Sequence, residues 1–339
     1  MKKRLILLVL VLVACSLLFA TGAQEQKEKY PVKDINVYIF SSQGGGTDAW
    51  CRFLGPLMEE DLGVKVINSN LPGANGGTAA QKVWTSPHDG YTVLGASETS
   101  MFFGSNGVAP TSENWHFFIA AGSGGIIVVP AKSPYKTIQE FVAAAKANPK
   151  NIKIANSGQG KGWHTKAVTL EQAAEVEFKH VPYNGSGPAI TAMLSGEADA
   201  VSCSTGEISE YIRAGLVRPL VITEAVGERF EGWDGMVPAA SDLYPKGAFA
   251  FSNMFQWLGF MLPKDTPDYV VKRFETAFQK AMANPKTAEF AKSQSAKLFG
   301  LSGAKAAELA KNMEAVTWWM AYDLGIAKIS PEKAGIARP

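Results

Sequence analysis

Short, apolar, β-rich runs alternate with stretches of helical periodicity from residue 35 onward, the pattern of an α/β chain rather than of an α+β or all-β one. Ile35-Asn36-Val37-Tyr38-Ile39-Phe40 reads as a strand, and a glycine turn over residues 41–48 separates it from Trp50, Phe53, Leu54, Leu57 and Met58 at helical spacing. Gly55-Pro56 falls inside that helix and predicts a kink or an early stop, because proline removes a backbone donor and crowds the preceding turn. The strand, loop, helix unit recurs. Ile152-Lys153-Ile154-Ala155 runs into a glycine-rich loop over 156–164, and Phe178-Lys179-His180-Val181 runs into 182–188, each followed by helical sequence. Residues 216–223 make another strand, and an irregular stretch through Met236, Pro238 and Pro245 leads to the apolar strand Leu258-Gly259-Phe260-Met261-Leu262. The last third is helical: Pro267 opens one helix, Asn284-Pro285 separates it from the next, and residues 306–324 make an aromatic-rich last one. Open α/β sheets bind ligands at the carboxyl ends of their strands, so the loops at 41–48 and 156–164 are expected to form two facing half-sites.

Length adds a second expectation. At 339 residues and 46% hydrophobic content the chain exceeds the size at which a single core stops growing, and two lobes are expected. Thirty-three Lys and Arg against thirty-one Asp and Glu leave a formal charge of +2, so no general field favours nucleic acid and a bound anion must be caught locally. At the start of the chain Lys2, Lys3 and Arg4 precede an apolar run over 5–20, followed by Thr21-Gly22-Ala23 and polar Gln24. Residues 1–23 read as a secretory signal peptide, since the run falls short of the roughly 20 apolar residues a spanning helix wants. Leu12-Val13-Ala14-Cys15 also fits a lipobox, in which the signal ends before Cys15 and lipid anchors the new N-terminus. The apolar run continues past it to Phe19, which favours cleavage near Ala23; both routes stay open, and both export the protein to the periplasm or another extracytoplasmic space. Cys51 and Cys203 lie far apart without CxxC spacing, and reading them as two buried small hydrophobes is preferred to pairing them.

The familiar enzyme signatures are missing: there is no HExxH, no paired CxxC, no GxSxG and no GxxxxGK[ST], and His88, His116, His164 and His180 show no metal-ligand spacing. No cofactor or metal is therefore expected, and catalysis is disfavoured. What stands out is Ser41-Ser42-Gln43-Gly44-Gly45-Gly46-Thr47-Asp48, directly after a strand and opening a helix. Glycines there let successive N–H groups turn toward one point and the helix terminus adds partial positive charge, so a carboxylate or phosphate can be held without arginine. The alternative is a tight turn with Thr47 or Asp48 capping the helix. Gly158-Gln159-Gly160-Lys161-Gly162 is a second such loop, with a cation in it, and the pair favours an anion site. Gly122-Ser123-Gly124-Gly125 precedes a strand and reads as a hinge. Trp163 and Tyr183 beside the loops are candidates for stacking on a ligand, although packing is the commoner fate of such aromatics.

With these residues in view, the chain resembles the substrate-binding component of tripartite tricarboxylate transporters, the TctC or Bug family. The likeness runs through Tyr30-Pro31, Gly44-Gly45-Gly46-Thr47-Asp48 and Leu71-Pro72-Gly73-Ala74-Asn75-Gly76-Gly77, where the family has an NRPGAGG turn. It continues through Pro87-His88-Asp89-Gly90-Tyr91-Thr92, like the family's PDGYT, then His164, and Val181-Pro182-Tyr183-Asn184-Gly185-Ser186-Gly187-Pro188-Ala189, like its VPYKGxxPA. No single motif decides the matter; their order and spacing do.

The resemblance implies a type II periplasmic-binding-protein fold, two α/β lobes joined by crossover strands, with one lobe over 31–128 plus 224–339 and the other over 129–223. It implies a small carboxylate ligand, large and small membrane permease subunits as partners, and no nucleic acid. The implied ligand-binding regions are Ser42, Gln43, Gly45, Gly46, Thr47 and Asp48; Ser97, Glu98 and Thr99; Gly158, Gln159, Gly160 and Lys161; and Tyr183, Asn184, Gly185 and Ser186. The chain departs from the family where Ser42-Gln43 replaces a common Pro-Pro, Lys161 replaces a Ser or Thr, and Cys203 stands near an Asp. Lys161 favours a more negative ligand, whereas Gln43 and Glu98 suit a hydroxyl or ammonium. Two other functions stay open: a ligand-loaded partner of a membrane sensor kinase, and an exported hydrolase using a serine and His164.

Overall fold

The computed structural model describes residues 29–339; the signal-peptide and lipobox readings at residues 1–23 lie outside it. Two sheets organise the chain. The first contains β1 (Ile35–Ile39), β2 (Val66–Asn70), β3 (Thr92–Ser97), β4 (Trp115–Gly122), β10 (Leu258–Pro263) and β11 (Lys297–Leu301) in the order β11-β4-β10-β3-β1-β2. The second contains β5 (Gly125–Pro130), β6 (Lys153–Asn156), β7 (Lys179–Pro182), β8 (Ala200–Ser204) and β9 (Val217–Ile222) in the order β7-β6-β8-β5-β9. β1 runs parallel to β2 and β3, and β6 parallel to β7 and β8; β5 and β10 run antiparallel to both their neighbours.

The α-helices between and after these strands are α1 (Gly46–Leu62), α2 (Gly77–Trp84), α3 (Phe103–Asn106), α4 (Ile138–Ala147), α5 (Gly162–Ala174), α6 (Ser186–Ser195), α7 (Thr205–Arg213), α8 (Ala240–Leu243), α9 (Ala248–Asn253), α10 (Asp268–Ala283), α11 (Pro285–Ser293) and α12 (Gly303–Asp323). They cover both sheet faces, which explains why β5 and β10 are apolar throughout instead of alternating with polar residues. In β10, Leu258, Phe260 and Leu262 pack with Trp50, Leu54 and Met58 of α1 and Phe274 and Phe278 of α10. Met261 points the other way, into the core formed with Ala79 and Val83 of α2 and Ala306 and Met313 of α12. The same two-residue alternation in β5 sends Ile127 and Val129 to one core of the second sheet and Ile126 and Val128 to the other.

The early stop expected at Pro56 does not occur: α1 continues to Leu62 and ends at Gly63, whose φ of 75° lets its N–H reach the Glu59 carbonyl at 2.9 Å. Proline forfeits one backbone bond there, while Trp50, Leu54, Leu57 and Met58 on the same helix are all buried, and the burial outweighs the loss. Gly55 is needed because a Cβ at that position would stand 3.0 Å from the Asn68 side chain on β2.

The chain passes from the first sheet to the second through Ser123 and Gly124 and leaves β9 through Thr223 and Glu224. Before it re-enters the first sheet at β10, Phe230 and Val237 pack into one core of the second sheet and Ala240 and Phe251 into the other. Cys51 belongs to a first-sheet core and Cys203 to a second-sheet core, both as free thiols, so the disulfide alternative does not hold.

Candidate functional site

The carboxyl ends of β1, β3, β6, β7 and β8 converge on one cavity between the sheets. Its walls enclose about 320 Å³ of empty space, open solvent at the mouth included. The first sheet contributes Phe40, Ser41, Gly45, Gly46 and Thr47 after β1, Ser97, Glu98 and Thr99 at the end of β3, and Gln256 before β10. The second contributes Ser157, Lys161 and Trp163 after β6, Gly185 and Ser186 after β7, and Glu207 in α7.

Three helices begin at this cavity. Gly45 is the N-cap of α1, Lys161 of α5 and Gly185 of α6, and none of the three caps its helix with its own side chain, although the Glu207 carboxylate takes the first N–H of α1, at Gly46. A helix leaves its first N–H groups without intrahelical acceptors and its N-terminus partially positive. Such termini aimed at one point therefore form an anion site made of main chain. By contrast α7 is closed by a capping box, Ser204 with Glu207, and offers nothing of this kind.

The capping role expected for Thr47 or Asp48 is not what the structure has. The Asp48 carboxylate folds back to accept from the Gly44 N–H at 3.1 Å, from Arg52 at 2.8 Å and from Asn70 at 2.8 Å, and so pins the glycine loop from behind. Gly44 is the loop residue in the left-handed region, at φ 81°, whereas Gly45 is extended at φ −86°.

Charge in the cavity is confined to three side chains. Lys161, only 4% exposed, makes no hydrogen bond or ion pair among the described residues; its ammonium lies 5.8 Å from the centre of the Phe40 ring, and burial pushes its pKa down to about 8. Glu98 is 3% exposed and burial pushes it up to about 8; one oxygen accepts from the Thr99 hydroxyl at 3.3 Å and the other has no partner. Glu207 bridges the two lobes: one oxygen accepts from the Gly46 N–H at 2.7 Å, the other from the Ser204 N–H at 2.9 Å and the Ser204 hydroxyl at 2.8 Å. Two more contacts close the cleft. The Asn184 carbonyl accepts from the Ser42 hydroxyl at 2.8 Å and the Ser42 N–H at 3.3 Å, and the Asn75 amide donates to the Gln159 carbonyl at 2.7 Å.

Of the residues expected from sequence, Gly45, Gly46, Thr47, Ser97, Glu98, Thr99, Lys161, Gly185 and Ser186 line the cavity, and so does the stacking candidate Trp163. The others do not. Ser42 and Asn184 make the cross-lobe bond just described, and Asp48 holds the loop. Gln43 and Tyr183 face an outer depression beside Pro188 and Tyr211. Gly158 and Gln159 line the rim beside Asn75, and the Gly160 N–H donates to His164 Nδ1 at 3.2 Å. His164 itself is absent from the cavity walls; it packs edge-on against His180 at 4.8 Å, and burial with the neighbouring His180 pushes its pKa down to about 4. Among the described residues no group of three or more His, Cys, Asp or Glu is placed to hold a metal ion.

Residues 51–317 match the model of the tripartite tricarboxylate transporter family receptor, TctC. The chain belongs to that family. A relative from Cupriavidus necator, described as "UPF0065 protein in gbd 5'region", is 32% identical over 79% of this chain and 80% of its own length. Among solved structures, the periplasmic binding protein BugD superposes with a TM-score of 0.78 at 24% identity, over 88% of this chain and 99% of BugD. MatC from Rhodopseudomonas palustris, solved with bound malate, gives 0.75 at 21% identity over 86% of this chain and 99% of MatC. The two-lobe fold of these periplasmic binding proteins is the fold of this TctC-family receptor. The cavity residues missed in the sequence are Glu207 and Gln256, together with Phe40 and Ser157 at the edges of recognised loops. Ser204-x-x-Glu207 is legible as a capping box, but nothing in that motif announces that the same carboxylate reaches Gly46, 161 residues away.

Proposed function

We propose that this TctC-family protein is an extracytoplasmic receptor that closes its lobes over a small carboxylate and delivers it to a membrane permease made of a large and a small subunit. One observation carries the reading: three helix N-termini, of which only α1 gives its first N–H to a side chain, and a buried, unpaired ammonium meet in a cavity between two lobes. That arrangement stabilises negative charge through main-chain dipoles and one cation. The malate carried by MatC is a ligand of this kind. Export through a signal peptide supplies the compartment, and among the described residues no helix is long and apolar enough to cross a membrane.

In place of the expected bounds at 128/129 and 223/224, the lobes of this proposal divide at Ser123-Gly124 and at Thr223-Glu224, with Phe230, Val237, Ala240 and Phe251 moving with the second lobe, into whose cores they pack. The proposed contacts are the nine expected residues that line the cavity, joined by Ser41, Trp163, Glu207 and Gln256. The test is thermal: a ligand bound only by the native state adds RT ln(1 + [L]/Kd), about 2.7 kcal/mol at 100-fold excess over Kd. A panel of di- and tricarboxylates, hydroxy acids, amino acids and aromatic acids is expected to contain members that raise the melting temperature of ligand-free protein. A panel with no such member removes the proposal.

A further inference from the structure

Glu207 holds a place in the cleft that suits an acid group from outside. It belongs to α7 of the second lobe, yet its Oε1 accepts from the Gly46 N–H, the first donor of α1 in the other lobe, at 2.7 Å. The same oxygen stands over the glycine turn: a Cβ built on Gly45 would lie 3.6 Å from it and one built on Gly46 3.5 Å. A backbone N–H is a single donor, so an incoming carboxylate cannot take it at that distance while Oε1 is there. The contact has the chemistry of a bound acid group, with the carboxylate supplied by the chain itself.

The other oxygen of Glu207 has separate partners. Oε2 accepts from the Ser204 N–H at 2.9 Å and the Ser204 hydroxyl at 2.8 Å, and the Ser204 hydroxyl oxygen accepts from the Glu207 N–H at 3.2 Å. This capping box lies wholly within the second lobe and does not use Oε1, so the contact with Gly46 can break while the α7 cap persists. Glu207 is half-buried, which lets the released oxygen turn toward water. The other cross-lobe bonds, from Ser42 to the Asn184 carbonyl and from Asn75 to the Gln159 carbonyl, join neutral groups and leave the α1 donors untouched.

We propose that Glu207 is a built-in competitor of the ligand: it ties the lobes of the ligand-free receptor together through the Gly46 N–H, and the acid group of the ligand displaces it from that N–H. This rests on the receptor reading and adds the regulation of its site. The bond stabilises only the ligand-free closed form, so it lowers the apparent affinity by reducing the fraction of receptor whose donor is free. Removing the competitor therefore has two effects that removal of a ligand contact does not have together: it tightens binding and it opens the ligand-free receptor.

The experiment pairs calorimetric titration with small-angle X-ray scattering on the mature receptor, in wild type, Glu207→Ala and Glu207→Gln. The probes are malate, succinate, citrate and glutamate, with any other acid that raises the melting temperature. Because a hydrogen bond to a charged group is lost only from the ligand-free side of the equilibrium, Glu207→Ala is expected to bind such an acid about 10-fold tighter than wild type. Its ligand-free scattering is expected to show a larger radius of gyration than wild type, and saturating acid is expected to bring the two proteins to the same value. Glu207→Gln keeps the shape of the side chain with a weaker, neutral acceptor and is expected to move both readouts the same way by less; it decides the matter by the same signs if Glu207→Ala fails to fold. Weaker binding in the variants overturns the inference and makes Glu207 a ligand contact or a structural support. Affinity within about twofold of wild type overturns it as well. Tighter binding with unchanged ligand-free scattering also overturns it, because simple repulsion between the Glu207 charge and the acid then suffices. In all three cases the receptor reading survives. If no acid binds wild type or variant, the receptor reading falls and takes the inference with it.

Discussion

Lys166 offers the sharpest test of how the two lobes are joined. It lies on α5 with its side chain wholly buried, and its ammonium donates to the Thr223 carbonyl at 2.7 Å, the Phe251 carbonyl at 3.0 Å and the Glu224 carboxylate at 3.2 Å. The other Glu224 oxygen accepts from the Gly125 N–H at 2.8 Å. One buried ion pair thus ties together both crossings between the sheets and the returning segment. Lys166→Met keeps the length of the side chain and removes the charge. It strands Glu224, whose pKa burial already raises to about 7 against the opposing pull of Lys166.

Removing one partner of a buried pair costs about 3 to 5 kcal/mol. Glu224 keeps 17% of its side chain exposed, so the expected loss lies near the lower end, about 3 kcal/mol. Urea unfolding at pH 8, where Glu224 is ionised in the native wild type, reads it directly. The double variant Lys166→Met/Glu224→Gln is expected to recover part of the loss, because the stranded charge goes with it. A single variant within about 1 kcal/mol of wild type, or a double variant no better than the single, refutes the assignment of the pair as the element joining the crossings.

Further outcomes are expected at the cleft. Lys161→Ser should weaken binding of the identified ligand about 10- to 100-fold by calorimetry, and a change below about twofold places the ammonium outside the contact set. Gly187→Ala should impair closure, since a Cβ there would stand 2.8 Å from the Gln43 carbonyl of the other lobe; binding at wild-type affinity would mean that the cross-lobe contact is dispensable. Gly45→Val should abolish binding by filling the cavity, since its backbone is extended and a Cβ alone fits at 3.6 Å from Glu207; a variant that folds and keeps its affinity would misplace the site. Glu98 has a native pKa of about 8 against an ordinary carboxyl near 4.5, so the native state holds the extra proton and stability falls as pH rises between those values. Each such proton contributes a slope approaching 1.4 kcal/mol per pH unit. Glu98→Gln should therefore gain on wild type from pH 5 to 8 in urea unfolding, and a flat difference refutes the assignment.

The legible parts of this protein are those set by local period. Ile35, Val37 and Ile39 alternate into one core as a strand should, the glycine loop follows, and α1 comes directly after it, starting at Gly46 ahead of the apolar spacing that begins at Trp50. What could not be read depends on positions distant in sequence. Glu207 and Gln256 reach the cavity only because the end of β8 faces it from the second sheet and the start of β10 pairs with the end of β3, Leu258 opposite Ser97, and no pattern local to either residue encodes that neighbourhood. The packing of residues 230–251 on the second sheet was hidden for the same reason: Phe230, Val237, Ala240 and Phe251 are anchors spaced without helical or strand period. Pro56 misled only as to the early stop, because a rule about one lost hydrogen bond was applied to a helix whose apolar face is buried on a sheet.

The cleft divides its labour between main chain and side chains. The acid-binding element is backbone, three helix N-termini, and it carries no carbon that a substitution could alter except by filling the space at Gly45, Gly46 or Gly185. Closure contacts are similarly indifferent to the ligand, since Ser42 donates to the Asn184 carbonyl and Asn75 to that of Gln159. On the proposed reading selectivity resides in the side chains of Lys161 and Glu98, because Glu207 is already held by the Gly46 N–H of the cradle and by Ser204. A ligand shifts the balance between open and closed lobes only by the difference in its affinity for the two. Lys161 and Glu98 supply that difference because they sit on opposite lobes: the first caps α5 beside the second sheet, the second follows β3 in the first. A molecule long enough to touch one but lacking the group that engages the other binds a single lobe and gains nothing from closure. The same two residues that choose the ligand thus decide which ligands close the receptor.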